Sequence, residues 1–189
     1  GGAYGPYNQS ERSTSYINTL VKLAEQGFVY PCNKTRKEIQ NQSVKNCLNI
    51  EYLFPQKFQP EQKIFLRNEV ELNTNWRFRT KQGARVEFTD AQNREQSFRV
   101  GQDFSDFLAW RKDGYAAYEL ATVVDDYHME ITEVVRGDDL LISSARQCLL
   151  FDALGWERPS FYHCKVLVGL DGQKLSKSTR GLPRLFSPS

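Results

Sequence analysis

Apolar residues Tyr16, Leu20, Leu23 and Ala24 recur at helical spacing, and Gly27 supplies the residue that commonly follows a helix end, so a helix is predicted over about 11–26. A turn-rich stretch, Gly1-Gly2-Ala3-Tyr4-Gly5-Pro6-Tyr7, precedes it. Beyond Pro31 the chain turns polar, with a short helical pattern over 35–40 and a loop over 53–60. From Asn75 the period becomes two. Trp76, Phe78 and Thr80 alternate with Arg77, Arg79 and Lys81, Val86 and Phe88 alternate with Arg85 and Glu87, and Phe98 and Val100 follow, which predicts a small antiparallel sheet. Another strand is expected over 106–110, before the Lys112-Asp113-Gly114 turn.

The last third alternates helix and strand: a helix over 115–126, a short strand over 133–135, a helix over 143–154 capped by Ser143 or Ser144 and ended by Gly155, and a strand over 164–168 before the Asp171-Gly172 turn. That rhythm is α/β, part of a Rossmann-like sheet interrupted by a small β-rich insertion. The expected division is 1–30 for the end of a first Rossmann half, 31–110 for the insertion and 111–189 for the second half.

Composition narrows the class. Of 189 residues, 40% are hydrophobic and 13% aromatic, too many large apolar groups for a disordered segment. A mean hydropathy of −0.59 argues against an integral membrane protein, and a net charge of +2 decides nothing about partners. The four irregularly spaced cysteines, Cys32, Cys47, Cys148 and Cys164, suit a reducing, cytoplasmic setting. Cys148 and Cys164 read as small buried hydrophobes, and His128 and His163 as interface or core residues. Asp125 and Asp126 diverge by about 100° on a helix, which argues against a catalytic carboxylate pair. Trp76, Phe78 and Phe88 read as core of the insertion, with stacking on RNA as the alternative.

The sharpest candidate for chemistry is Lys174-Leu175-Ser176-Lys177-Ser178, after a strand and a tight turn. Two lysines three residues apart on a loop can reach a polyphosphate from one side, and the serines add hydrogen bonds. Lys165, Lys174, Lys177, Arg180 and Arg184 make this end of the chain locally positive, and RNA held there would bind in a salt-sensitive way. Tyr118, taken alone, reads as an amphipathic core tyrosine, and Arg136 as an ion-pair partner of Asp138 or Asp139.

Read in order, Val123-Val124-Asp125-Asp126, Ile131 to Leu141 with its Arg136-Gly137-Asp138-Asp139, Arg146-Gln147, Leu154-Gly155-Trp156 and the lysine loop resemble the catalytic domain of the glutamyl-tRNA synthetase group of class I aminoacyl-tRNA synthetases. Gly5-Pro6-Tyr7 with Gln9-Ser10-Glu11-Arg12, and Tyr30-Pro31-Cys32 with Thr35-Arg36, carry the same resemblance. Lys174 to Ser178 then looks like the second class signature and would hold ATP, with Lys174 and Lys177 stabilising charge as pyrophosphate leaves. Tyr118 and Arg136 match the family's glutamate-binding tyrosine and arginine. A guanidinium can grip a carboxylate through two parallel hydrogen bonds. Arg-Gly-Asp-Asp-Leu-Leu followed by Ser-Ala-Arg-Gln looks closest to glutamyl-Q tRNA(Asp) synthetases, which attach glutamate to queuosine.

The resemblance thus implies a ligase that acts as a monomer, off any membrane, on glutamate, ATP with Mg²⁺, and tRNA. The acceptor is expected to be queuosine of tRNA(Asp). The alternatives are the core of an ordinary glutamyl-tRNA synthetase charging tRNA(Glu) and a non-catalytic RNA- or nucleotide-binding remnant. Two departures bear on this. The family's zinc site begins Cys-x-Cys, but here Cys32 is followed by Lys34, and Cys47 alone remains, so zinc is not expected. The first class signature, a His-Ile-Gly-His-like tetrapeptide, is not in the sequence. The chain is therefore expected to be an internal piece of a longer enzyme and, purified as given, to show no glutamate-dependent ATP–pyrophosphate exchange; robust exchange would contradict that expectation.

Overall fold

The computed structural model describes residues 3–48, 51–65, 70–91 and 94–167. Helix α1 (Ser13–Glu25) turns Tyr16, Leu20, Leu23 and Ala24 inward, as their spacing requires. It starts later than expected because Gln9–Glu11 form a separate 3-10 turn. Gly27, at φ 70°, ends it, a conformation that costs glycine nothing. Strand β1 (Val29–Pro31) follows, then α2 (Arg36–Gln42). Thr35 caps α2 and shares a capping box with Glu38, a Thr-x-x-Glu signal plain in the sequence.

The anticipated small antiparallel sheet is in fact two sheets. Strand β1 pairs antiparallel with β2 (Trp76–Phe78), which pairs antiparallel with β5 (Phe107–Trp110). The hairpin of β3 (Arg85–Asp90) and β4 (Arg94–Arg99) belongs elsewhere. It extends a four-stranded sheet of order β4-β3-β7-β6, in which β7 (Ser160–Cys164) runs parallel to both β3 and β6 (Glu133–Gly137). Local periodicity predicts strands but not partners, and Asp90 meets Phe161 across a long stretch of sequence.

Strand β7 also corrects the strand expected over 164–168. It ends at Cys164, and residues 165–167 are not in a strand; residue 168 lies outside the described residues. Its inward positions are Phe161 and His163, so a buried histidine obscures the apolar alternation. Cys164, expected to be buried, is exposed, whereas Cys148 is buried.

Helix α3 (Tyr118–His128) packs Leu120, Ala121, Val123 and Val124 into the core. Helix α4 (Leu141–Leu154) begins before the anticipated serine cap; Leu140 is its N-cap residue and makes no side-chain cap. Gly155 ends it at φ 68°, with Trp156 N–H returning to the Phe151 carbonyl at 2.9 Å. Leu150, Phe151 and Leu154 join α1, α3 and the first sheet in one core, while Ala145 and Cys148 pack with Val86, Val100, Phe104 and Phe161 in a second. Helix α4 is the wall common to both cores.

Polar anchors tie these layers together. Asp106 accepts from Tyr30 Oη at 2.5 Å, from Thr80 Oγ1 at 2.6 Å and from Gln59 Nε2 at 2.9 Å. Asp125 on α3 accepts from Arg12 Nε at 2.6 Å, Tyr16 Oη at 2.8 Å and Gln9 Nε2 at 2.9 Å, clamping α1 to α3. Burial and the Asp125 carboxylate push the Tyr16 phenol up to about 12. Asp125→Ala leaves the Arg12 guanidinium, 5% exposed, without its counter-charge. The expected cost is about 3–5 kcal/mol. Urea unfolding measures it, and the double change Arg12→Met with Asp125→Leu should recover most of the loss.

Candidate functional site

Strands β6 and β7 run parallel in the register Val134–Phe161, Val135–Tyr162, Arg136–His163. Parallel α/β sheets present ligands with the carboxyl ends of their strands, and Arg136 is next to last in β6. Its guanidinium is held from α4. One nitrogen, Nη2, donates to Ser144 Oγ at 2.6 Å and to Gln147 Oε1 at 2.7 Å, while the group lies 5.1 Å from the centre of the Phe161 ring. Nε is buried and has no hydrogen-bond partner among the described residues. Ser144 and Gln147 are three apart on the helix, hence on one face, and both are fully buried. Their role as partners of Arg136 had a signal in that spacing, which periodicity of apolar residues does not register.

The contacts continue to the start of α3. Gln147 Nε2 donates to Glu119 Oε2 at 3.0 Å, and Arg146 Nη1 lies 3.7 Å from Glu119 Oε1. Burial raises the Glu119 carboxyl, against the pull of Arg146. Tyr118, immediately before Glu119, is 55% exposed, so the reading of it as a core tyrosine does not hold. The structure therefore links Glu119, at the beginning of α3, to Arg136, near the carboxyl end of β6, through Gln147 of α4, and Tyr118 is the residue before Glu119. Arg136 takes serine and glutamine as partners, where an ion pair with Asp138 or Asp139 was the alternative expectation.

Behind Arg136 the network turns into the sheet. Ser144 Oγ lies 2.7 Å from His163 Nε2, and His163 Nδ1 lies 2.9 Å from Asp90 Oδ2. Asp90 Oδ2 also accepts from Arg94 Nη2 at 2.9 Å. His163 is thus a buried core residue, as expected; His128 is exposed, at the end of α3, 3.4 Å from Arg12 Nη2.

Lys174, Leu175, Ser176, Lys177 and Ser178 lie outside the described residues. Cys32 is buried beside Tyr30 and Phe54, and Cys47 is exposed with its thiol 2.9 Å from Asp103 Oδ1. Among the described residues no group of three or more His, Cys, Asp or Glu could hold a metal ion, and the two thiols do not supply a zinc donor set. Trp76 and Phe78 are core, and Phe88 stacks on Phe98 and packs on Phe161. A cavity of about 400 Å³ lies at the opposite, amino ends of β6 and β7, lined in part by Asp126, Thr132, Phe151 and Ser160.

With this geometry in place, likeness to known proteins is specific. The family model described as tRNA synthetases class I (E and Q), catalytic domain, matches residues 2–183. Glutamate–tRNA ligase 2 of Syntrophus aciditrophicus is 37% identical over 186 residues, covering 93% of this chain and 36% of that protein. Glutamyl-Q tRNA(Asp) synthetase of Leptothrix cholodnii is 36% identical, covering 94% and 61%. A solved glutamate-tRNA synthetase from Elizabethkingia anophelis superposes with a TM-score of 0.73 at 26% identity, covering 97% of this chain and 40% of its own. The chain thus spans a little over a third of the glutamate–tRNA ligase and about three fifths of the glutamyl-Q enzyme.

Asp126, beside Asp125 and within the field of Arg136, offers a test of the electrostatics. Burial, aided by Asp125 and opposed by Arg136, lifts its carboxyl to about 6. A carboxyl raised in the folded state binds its proton more tightly there than in the unfolded chain, so it costs stability above pH 6 and the cost vanishes below about pH 4. Asp126→Asn is expected to stabilise the chain by about 1 kcal/mol at pH 8, after allowance for partial exposure, and by nothing measurable near pH 4. Urea unfolding at both pH values checks it; an equal effect at each would contradict the assignment.

Proposed function

The chain belongs to the class I glutamyl- and glutaminyl-tRNA synthetase catalytic-domain family, and from that premise we propose that it forms part of a site that activates glutamate with ATP and passes it to tRNA. In this reading the α-carboxylate of glutamate attacks the α-phosphorus of ATP, giving glutamyl-adenylate and pyrophosphate. A hydroxyl of the RNA then attacks the activated carbonyl and releases AMP. Lys174 and Lys177 offset the charge that gathers on the departing pyrophosphate, with Mg²⁺ on the nucleotide. Leu175, Ser176 and Ser178 belong to the same ATP loop.

The observation that carries the reading is the state of Arg136. Its guanidinium is at a strand's carboxyl end, is gripped by neutral partners through Nη2, and keeps a buried Nε without a partner among the described residues. Such a group favours an anionic ligand, because its charge has no carboxylate bonded to it there. In this reading Tyr118, exposed at the start of α3, would hydrogen-bond the bound glutamate.

For the acceptor we favour queuosine of tRNA(Asp), on the strength of Arg136-Gly137-Asp138-Asp139-Leu140-Leu141 followed by Ser144-Ala145-Arg146-Gln147. The identity to a glutamate–tRNA ligase, equal to that to a glutamyl-Q enzyme within one per cent, supports charging of tRNA(Glu) as a second reading. Labelled glutamate offered to the full-length gene product with queuosine-containing tRNA(Asp) or with tRNA(Glu) separates the two. In that product Arg136→Ala is expected to raise the glutamate KM about 50-fold, the worth of a lost charge-assisted pair, and to leave the ATP KM nearly unchanged. An unchanged glutamate KM removes Arg136 from the pocket.

A further inference from the structure

The chain of contacts behind Arg136 has a direction. Asp90, Ser144 and His163 are each 0% exposed, so bulk solvent reaches none of them. The Asp90 carboxylate accepts from Arg94 Nη2 and from the backbone N–H of His163 at 3.1 Å. A carboxylate only accepts, so His163 Nδ1 must carry the proton in the 2.9 Å contact with it. In a neutral imidazole Nε2 is then an acceptor. The hydroxyl of Ser144, 2.7 Å away, must donate to it, and its lone pairs are left to receive Arg136 Nη2 at 2.6 Å. The Leu140 carbonyl, at 3.1 Å from Ser144 Oγ, is the weaker claimant on that proton.

We propose that Asp90, His163 and Ser144 are positioning residues: they fix the hydroxyl of Ser144 as an acceptor and thereby orient the Arg136 guanidinium toward a carboxylate ligand. The inference rests on Arg136 belonging to the glutamate pocket. The order of groups is that of a hydrolytic Ser-His-Asp triad, but the serine is fully buried and already receives a guanidinium, so it is no nucleophile. The groups facing His163 are Asp90 of β3, Arg94 of β4, Arg136 of β6, Ser144 of α4 and the rings of Phe88 and Phe161. Burial first, then the positive Arg136 and Arg94, oppose a positive charge on the imidazole, against the pull of Asp90. A neutral ring is what the directed chain requires. The arrangement also makes the β3–β4 hairpin a contributor to the site, because Asp90 and Arg94 sit at its two facing ends.

Two measurements test this. The chain holds only two histidines, so histidine-selective ¹⁵N labelling gives two imidazoles, assigned by a His128→Gln variant. The expected form of His163 is the neutral Nδ1–H tautomer, because Asp90 Oδ2 also accepts from the His163 backbone N–H and from Arg94; Nε2–H in the unaltered chain overturns the proposal. In the full-length gene product, Ser144→Ala is expected to raise the glutamate KM about ten-fold, the equivalent of one hydrogen bond, with the ATP KM unchanged. A glutamate KM that moves in Arg136→Ala but not in a folded Ser144→Ala overturns the positioning role. If it moves in neither, the glutamate pocket itself is misassigned, and the tautomer measurement still judges the direction of the chain.

Discussion

A helix buried on two sides can carry polar groups only where each finds a partner, and α4 is such a helix. Its Leu150, Phe151 and Leu154 close one core and its Ala145 and Cys148 another. Between these apolar patches lie Ser144 and Gln147, both fully buried. Their oxygens and amide have to be met from β6 and α3, and Arg136 and Glu119 are the side chains that meet them. The position of the guanidinium is therefore a consequence of packing. Burying α4 between the two cores drives Arg136 and the start of α3 to converge.

The same constraint reaches into the hairpin. Strand β7 must present Phe161 inward to the second core, so its period of two also turns His163 inward. An imidazole with no access to water needs partners for both nitrogens. Ser144 supplies one and Asp90, at the end of β3, supplies the other. The parallel junction of β3 with β7 thus joins the hairpin to the sheet by more than backbone pairing. It is also why the strands between Trp76 and Val100 divide into two sheets: Trp76 and Phe78 pack with α1 and α3, while Val86 and Phe161 pack with α4.

Helices with a clean apolar stripe and a glycine after them were legible in the sequence. Helix α1 and its Gly27, and α4 with its Gly155, come within two residues of expectation, because period and positive φ are local properties. Strand β7 was misplaced because its buried positions include a histidine whose partner lies 73 residues earlier. Ser143 or Ser144 is expected as a cap, since serine near a helix start ordinarily serves its own backbone, but the guanidinium that holds Ser144 is eight residues upstream in another element. For the candidate site, Tyr118 and Arg136 stand in recognisable motifs, and their proposed roles rest on that resemblance. The residues that hold Arg136 were not legible, because a buried polar network has no periodic signature.

Arginines with a buried Nε that has no partner among the described residues are not rare in this fold: Arg77, Arg79, Arg94 and Arg146 share that feature with Arg136. What separates them is how the charge is met. Arg94 and Arg146 face the carboxylates of Asp90 and Glu51, and Arg79 donates to the carbonyls of Pro60 and Gln62. Arg77 donates to the carbonyl of Asp106 and lies over the Phe54 ring. Arg136 alone of the five combines a strand's carboxyl end with side-chain partners that are both neutral. Neutral acceptors hold a guanidinium in place without cancelling its charge, whereas a bonded carboxylate would orient it equally well and weaken its hold on an anion. Serine and glutamine are therefore partners that suit the role proposed for Arg136, the receipt of a carboxylate.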